Sequence, residues 1–194
     1  LRDGLPGYAA RPLAIGADTG AEQPVRYAFR SLDRQWVLPD KRALNRPNPR
    51  LWSSASRSQL FLTAPNVDPP QGSAAVTVCA TPPDMHHYAG RGGRVYPLYS
   101  DASASQANIR QELVSALAFT YGREVHGDQI FAYVVAVTSN PGYTETFAEY
   151  LNSPGVRVPF STDVAVFERA VLIGKKVIWA QTYGQRMKQE GVLT

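Results

Sequence analysis

The apolar positions of the chain change their spacing about halfway along its length. From Val25 they alternate with other residues, so that Val25, Tyr27 and Phe29 fall on one face and Arg26, Ala28 and Arg30 on the other. This period of two predicts a strand with an arginine-bearing face. Further short strands are predicted at Trp36–Leu38, Gln59–Ala64, Ala74–Ala80 and Arg94–Tyr99, between clusters of Pro, Gly, Asn and Ser.

After Ser100 the apolar residues take helical spacing. One helix is predicted from about Ile109 to Tyr121, with Gly122 placed to end it. Asp128 is predicted to cap the next helix, and Asn140-Pro141 to close that helix and begin another. A last helix is predicted to start at Ser161 to Asp163 and to continue toward Arg186.

These patterns predict an α+β fold in a single compact domain. We expect residues 25–190 to form the domain, mainly β sheet with long loops over 25–100 and mainly α-helical over 101–190. Residues 1–24 are rich in Gly, Ala and Pro without a period, which is typical of a linker or an arm on a neighbouring domain. The start at Leu1, without methionine, fits a piece of a longer polypeptide.

Positive charge is concentrated in one stretch of the chain. The formal net charge is +4, yet residues 26–57 contain eight Arg or Lys against Asp33 and Asp40, a net of +6. Residues 101–194 contain eight basic and nine acidic residues, a net of −1. The basic stretch predicts contact with a polyanion, although a solvated basic face with Trp36 in the core would give the same composition.

Composition also bears on the compartment. Cys79 is the single cysteine and lies in an apolar run, which rules out an intrachain disulfide and favours a reducing cytoplasm. No window approaches the roughly 18 consecutive apolar residues that a membrane span needs, and the N-terminus has no signal-peptide pattern.

Motifs for catalysis are incomplete throughout the sequence. Gly174-Lys175-Lys176 lies in a helical pattern rather than a phosphate-binding loop, and Thr81-Pro82-Pro83-Asp84 lacks both polar and aromatic ends of an adenine methyltransferase motif. The adjacent His86 and His87 have no partners at metal-ligand spacing. We therefore expect no catalytic residues, no metal and no cofactor in this chain.

Three segments carry a family resemblance. Phe29-Arg30-Ser31-Leu32-Asp33-Arg34-Gln35-Trp36 resembles an aromatic-Arg-Pro-Phe-Asp-x-x-Trp segment, with Ser31 and Leu32 as departures. Pro83-Asp84-Met85-His86-His87 is followed by a glycine-rich turn and Tyr96-Pro97-Leu98-Tyr99. Ile130 to Val137 with Ser139-Asn140-Pro141-Gly142-Tyr143 resembles a helix ending in Ser-Pro-x-Tyr, into which Asn140 is inserted.

Together these segments resemble the C-terminal specificity domain of Type ISP restriction-modification enzymes and of related single-chain adenine methyltransferase-nucleases, over about residues 25–180. The resemblance implies a non-catalytic domain that chooses the DNA target for bacterial defence. It implies a parent chain with nuclease, translocase and N6-adenine methyltransferase modules, which would use S-adenosylmethionine, ATP and Mg. Double-stranded DNA and the methyltransferase domain are the implied partners.

The candidate DNA contacts are basic or amide side chains on the first strands and loops, because guanidinium groups match guanine acceptors and phosphates, and amides match adenine. They are Arg26, Arg30, Arg34, Lys41, Arg42, Asn45, Arg46, Arg50, His87, Arg91 and Arg94.

Structural roles are open for some of these residues, and other functions are open for the chain. Arg30 with Asp33 would also make an internal ion pair, and Arg157 would also brace the turn before Pro159. One rival function is an interaction module whose basic strip meets an acidic protein surface, and another is an enzyme with an atypical pocket.

Overall fold

The computed structural model describes residues 23–39, 44, 48–66, 69–88 and 92–188. Over these residues the chain has an α+β fold, with its strands before Ser100 and its long helices after it, as predicted. The arm predicted over residues 1–24 lies almost wholly outside the described residues, since only 23 and 24 belong to them. No helix in these ranges is both long and apolar enough to cross a lipid bilayer.

The first two strands form a hairpin. β1 (Val25–Arg30) pairs antiparallel with β2 (Asp33–Val37), in a register that sets Arg26 opposite Trp36 and Ala28 opposite Arg34. The alternation predicted for β1 is present, but its arginine face is not uniformly exposed, because Ala28 is buried in contact with the second sheet. A register shift between Ala28 and Arg30 precedes the turn.

The second sheet has three antiparallel strands in the order β4, β3, β5. These are β3 (Phe61–Pro65), β4 (Thr77–Cys79) and β5 (Gly93–Pro97). β3 is central and almost wholly buried, so its apolar run has no alternation. The hairpin joins this sheet where the Ala28 N–H donates to the Pro82 carbonyl at 3.1 Å, and where Ala28 packs on Phe61 and Cys79.

A short helix that the periodicity does not predict follows the hairpin. α1 (Pro49–Ser53) has a proline in its first turn and Asn48 as its N-cap, whose Oδ1 accepts from the Leu51 N–H at 3.2 Å. Its Trp52 ring stacks on Tyr27 of β1, with centroids 5.9 Å apart. The helix is therefore fixed against the base of the hairpin.

Within its described residues, the C-terminal half contains five helices. They are α2 (Gln111–Tyr121), α3 (Gly127–Thr138), α4 (Pro141–Thr146), α5 (Ala148–Leu151) and α6 (Val164–Gln181). Gly122 ends α2 at φ +64° and Asn140 caps α4, both as predicted. Asp163 caps α6, but α6 ends at Gln181 rather than continuing toward Arg186, because Thr182 caps it and Tyr183 takes a positive φ.

The prediction that Asp128 caps α3 is wrong. His126 is the N-cap residue, and its backbone N–H donates to the Gln129 side chain at 3.1 Å. Asp128 lies in the first turn of the helix, where its carboxylate is 3.9 Å from the Lys175 ammonium. A carboxylate is favourable in either position because both are close to the positive end of the helix dipole, so sequence alone does not separate them.

The main core lies between α3, α6 and the three-stranded sheet. Helices α3 and α6 approach so closely at Gly174 that a Cβ there would be 1.8 Å from the Ala132 carbonyl oxygen. In this core the rings of Tyr121 and Tyr133 both pack on Phe167, with centroids 4.9 and 5.1 Å away. The helical half thus forms a fixed support beneath the sheet and the hairpin.

Candidate nucleic-acid interface

The hairpin holds two arginines against aromatic rings. The Arg26 guanidinium lies 4.2 Å from the ring centroid of Trp36, its cross-strand partner. The Arg34 guanidinium lies 3.7 Å from the ring centroid of Tyr183, which follows α6. An arginine stacked in this way is held by cation–π attraction, while the N–H groups at its edge remain available to acceptors.

Tyr183 also fixes the hairpin turn. Its hydroxyl donates to the carbonyl of Leu32, a residue at φ +60° that is 65% exposed. One tyrosine therefore supports both Arg34 and the turn that connects the strands. The hairpin is anchored at its tip as well as at its base.

Arg30 is engaged differently from its neighbours. Its guanidinium donates to Asp84 at 3.1 Å and lies 3.9 Å from the Phe29 ring centroid. The ion pair expected with Asp33 is thus made with Asp84 instead, although Asp33 is the residue opposite Arg30 in the register. The Asp84 carboxylate comes from a loop beside the three-stranded sheet, so this pair joins the hairpin to that loop.

Asp84 is the centre of a small polar cluster. Besides Arg30, it accepts from the Tyr27 hydroxyl and from the His86 N–H, the latter at 2.8 Å. Burial, together with the hydrogen bond to Asp84, raises the pKa of Tyr27 above its ordinary value. The Pro83–His87 segment therefore acts as a brace for the hairpin.

His87 is placed in the interior. It is 2% exposed, its Nδ1 is 2.8 Å from Thr63 Oγ1, and its carbonyl accepts from the Ser31 N–H at 2.8 Å. Desolvation lowers its pKa to about 4, which keeps the ring neutral. A DNA contact predicted at His87 does not fit this burial, because the imidazole cannot meet DNA without leaving its site.

Of the remaining predicted DNA contacts, some lie within the described residues and some do not. Arg50 is exposed on α1, and Arg94 on β5 donates to the Asn66 side chain at 3.1 Å. The predictions at Lys41, Arg42, Asn45, Arg46 and Arg91 fall outside the described residues. Arg157 has the bracing role considered for it, since its guanidinium donates to the Tyr150 carbonyl at 2.8 Å and its own carbonyl accepts from Tyr143 at 2.5 Å.

An open cleft of about 710 Å³ separates α1 from the start of β1. We call it the arginine cleft and define it by Val25, Arg26, Trp52, Arg57, Thr81 and Arg186. Arg57 and Arg186 are absent from the sequence-based candidates. Arg57 ends the basic stretch and was identifiable by its charge, whereas only the fold brings Arg186 to the same surface.

Cys79 is buried with Ala28 and Phe61, where the hairpin meets the second sheet. Burial raises the pKa of the Cys79 thiol, which makes it a poor nucleophile. Within the parts of the chain that the structure describes, no three His, Cys, Asp or Glu side chains group as metal ligands.

The amino-acid sequence of the chain identifies its family. The chain belongs to the family described as the Type ISP C-terminal specificity domain, which matches residues 9–192. No curated protein matches the chain.

Solved structures share the fold. A DrdV–DNA complex is 18% identical over 82% of this chain, with a TM-score of 0.69. The ATP-dependent Type ISP restriction-modification enzyme LlaBIII bound to DNA is 17% identical over 84%, with a TM-score of 0.63. A nuclease-deletion mutant of the Type ISP enzyme LlaGI with a DNA substrate mimic is 18% identical over 82%, with a TM-score of 0.58.

This chain corresponds to a small part of each of those proteins. It covers 16% of the DrdV chain and 11% of the LlaBIII and LlaGI chains. At this level of identity the likeness shows the fold.

Proposed function

We propose that this domain recognises a specific sequence in double-stranded DNA and selects the target of a restriction-modification enzyme. The observation that carries the proposal is the pair of ring-stacked arginines, Arg26 and Arg34, on one hairpin. Among the described residues, neither has a carboxylate within ion-pair distance. Positioned guanidinium groups that no acid neutralises suit phosphates and the paired acceptors of guanine.

The dimensions of the hairpin fit this role. A two-stranded antiparallel ribbon is narrow enough for the major groove of B-form DNA, which is about 12 Å wide. The turn residue Leu32 and the side chain of Trp36 are both exposed, at 65% and 61%. We infer that the hairpin enters or borders the groove.

The basic residues that follow β2 and precede β5 in the sequence are proposed to add further contacts. Lys41, Arg42, Asn45 and Arg46 follow β2 directly in the sequence, and Arg91 precedes β5. Loops next to a fixed scaffold commonly carry the residues that read a target. We propose base or phosphate contacts for these residues together with Arg50 and Arg94, and a bracing role for Arg30.

The rest of the parent enzyme is also part of the proposal. The printed descriptions of the LlaGI and LlaBIII structures mention a nuclease, ATP dependence and bound DNA. By analogy, we propose that nuclease, translocase and adenine methyltransferase modules outside this chain perform the chemistry with ATP, Mg and S-adenosylmethionine. This domain would then be non-catalytic, which is consistent with its membership of a specificity-domain family.

The helical half is proposed to contact the methyltransferase domain. Phe119 on α2 is 91% exposed, and Leu172 and Ile173 on α6 are also exposed. Large apolar side chains at the surface of a helix commonly pack against another protein surface. In this arrangement the helices join the domain to its parent while the hairpin faces the DNA.

Selection from a randomised duplex pool tests the proposal. The chain is incubated with the pool at about 50 and 200 mM salt, and the retained DNA is sequenced. We expect one short, asymmetric motif to be enriched at both concentrations. Retention that is sequence-blind and lost steeply with salt would contradict target recognition, and no retention at low salt would favour the interaction-module alternative.

A further inference from the structure

The arginine cleft is a positively charged surface, and the Trp36 ring is not part of its lining. Three arginines line it, Arg26, Arg57 and Arg186, and no acidic side chain among the described residues does so. The cleft lies beside the short helix α1, which the Trp52–Tyr27 stack fixes to the hairpin. Its walls are thus set by the fold before any ligand arrives.

The three arginines differ in burial and in hydrogen bonding. Arg186 is half-buried and donates to the carbonyls of Gln59 and Ser56, each at 3.1 Å. Burial lowers the pKa of Arg186. The Arg186 guanidinium nevertheless supplies positive charge to the wall of the cleft. It is a structural component with an electrostatic effect.

Arg57 and Arg26 are exposed at the same cleft. Arg57 has no hydrogen-bond or ion-pair partner within the described part of the chain. Arg26 is held over Trp36 by its guanidinium face, so its N–H edge is available. Two guanidinium groups can therefore donate to a ligand without breaking an existing contact.

Two hydroxyl oxygen atoms at the cleft are buried. Ser56 Oγ and Thr81 Oγ1 have no hydrogen-bond partner among the residues that the structure describes. Both residues line the cleft. Because these two oxygen atoms have almost no exposed surface, a ligand in the cleft would contact the arginines rather than the hydroxyls.

We propose that the arginine cleft binds the DNA sugar-phosphate backbone through Arg57 and Arg26, as a sequence-independent grip beside the base-reading hairpin. The ligand class is the phosphodiester, because the described lining of the cleft presents positive donors and contains no carboxylate to accept from base amino groups. The cleft is open rather than enclosed, which suits a strand that runs through it. This inference rests on the proposed function and assigns a role to Arg57, which was not among the sequence-based candidates.

The test compares Arg57→Gln and Arg26→Gln with Arg169→Gln, an exposed arginine on α6 that serves as a matched control. Affinity for the enriched duplex is measured over a series of salt concentrations. Loss of one phosphate contact should lower the slope of log affinity against log salt by about 0.9 and weaken binding several-fold at low salt. Arg57→Lys should restore most of the slope, and Arg169→Gln should leave it unchanged.

Sequence preference separates a backbone grip from base reading. The pool selection is repeated with Arg57→Gln, and the enriched motif should be the same as for the wild type. A relaxed preference at one position would make Arg57 a base reader and overturn the inference. An unchanged affinity and salt slope would also overturn it, while thermal unfolding of each variant checks that the fold is intact.

Failure of the cleft is distinguishable from failure of the proposed function. If the wild-type chain enriches a motif but Arg57→Gln binds like the control, the cleft assignment is wrong and the proposed function stands. If the wild-type chain binds DNA without enriching a motif, the proposed function is wrong. The salt slopes of the two variants then still decide whether the cleft grips phosphate.

Discussion

Replacing Asp84 by asparagine should loosen the hairpin without removing any surface arginine. Asp84 accepts hydrogen bonds from the Tyr27 hydroxyl, the Arg30 guanidinium and the His86 N–H. Asparagine keeps one acceptor oxygen, so the variant loses the charge and at least one of these bonds. A bond to a charged group contributes about 1.5–3 kcal/mol. The Arg30–Asp84 ion pair adds at most about 1 kcal/mol, because both side chains are partly exposed.

The expected loss of unfolding free energy for Asp84→Asn is therefore about 2–3 kcal/mol. For a domain of this size, each kcal/mol corresponds to a Tm change of roughly 2–4 °C. Thermal and urea unfolding followed by circular dichroism would measure both quantities. A double-mutant cycle with Tyr27→Phe should give a coupling energy of about 1 kcal/mol, since the two side chains share a hydrogen bond.

Asp33→Asn is the matched control for this prediction. Asp33 is an exposed hairpin carboxylate that accepts from the Gln35 side chain at 3.2 Å, so its replacement should cost less than about 0.5 kcal/mol. If Asp84→Asn were no more destabilising than Asp33→Asn, the reasoning that Asp84 braces the hairpin would be refuted. A destabilised Asp84→Asn should also bind the enriched duplex more weakly, because Arg26 and Arg34 would lose their common support.

Three other substitutions test the support beneath the interface. Gly174→Ala should destabilise the fold by about 3 kcal/mol or more, measured by urea unfolding, because its Cβ would meet the Ala132 carbonyl at 1.8 Å. Gln59→Leu should cost a similar amount, since the buried amide donates to two carbonyls and accepts from two N–H groups, whereas exposed Gln106→Leu should cost little. As the pH is lowered from 6.5 to 4, the free energy of unfolding of the wild type should fall by about 1 kcal/mol per pH unit. The fall should be less steep in His87→Gln.

The sign of the pH dependence follows from the depressed pKa of His87. Below its ordinary pKa of 6.5, the unfolded chain binds a proton that the folded chain, with a pKa of about 4, does not. The stabilisation is therefore complete above pH 6.5 and is lost as the pH falls toward 4. A slope that His87→Gln leaves unchanged would show that other groups cause it. For Gly174→Ala and Gln59→Leu, wild-type stability would contradict the packing and hydrogen-bond arguments.

Local patterns predicted most of the secondary structure. Alternation identified β1, helical spacing identified α2, α3 and α6, and the Asn140-Pro141 pair located the start of α4. Helix α1 has the expected signals, an asparagine N-cap and a proline in the first turn, but its five residues are too few for a periodic pattern.

Contacts between residues that are far apart in the sequence account for what the local patterns did not predict. Arg34 was predicted as a DNA contact from local sequence, and the ring that holds it, Tyr183, comes from the segment that follows α6. The choice of Asp84 over Asp33 as the partner of Arg30 likewise depends on a loop more than fifty residues away. His87 was predicted as a contact for its loop placement and charge, whereas the fold buries it beside Thr63.

Hydrogen–deuterium exchange of the chain in the presence of the enriched duplex tests most directly whether DNA binds at the hairpin. The chain is compared with the enriched duplex, with a scrambled duplex of the same length and without DNA. We predict that the enriched duplex slows backbone amide exchange most strongly in residues 25–37 and 48–57, and that the scrambled duplex has a weaker effect there. Protection confined to α2 and α6, with residues 25–37 unaffected, would contradict the account.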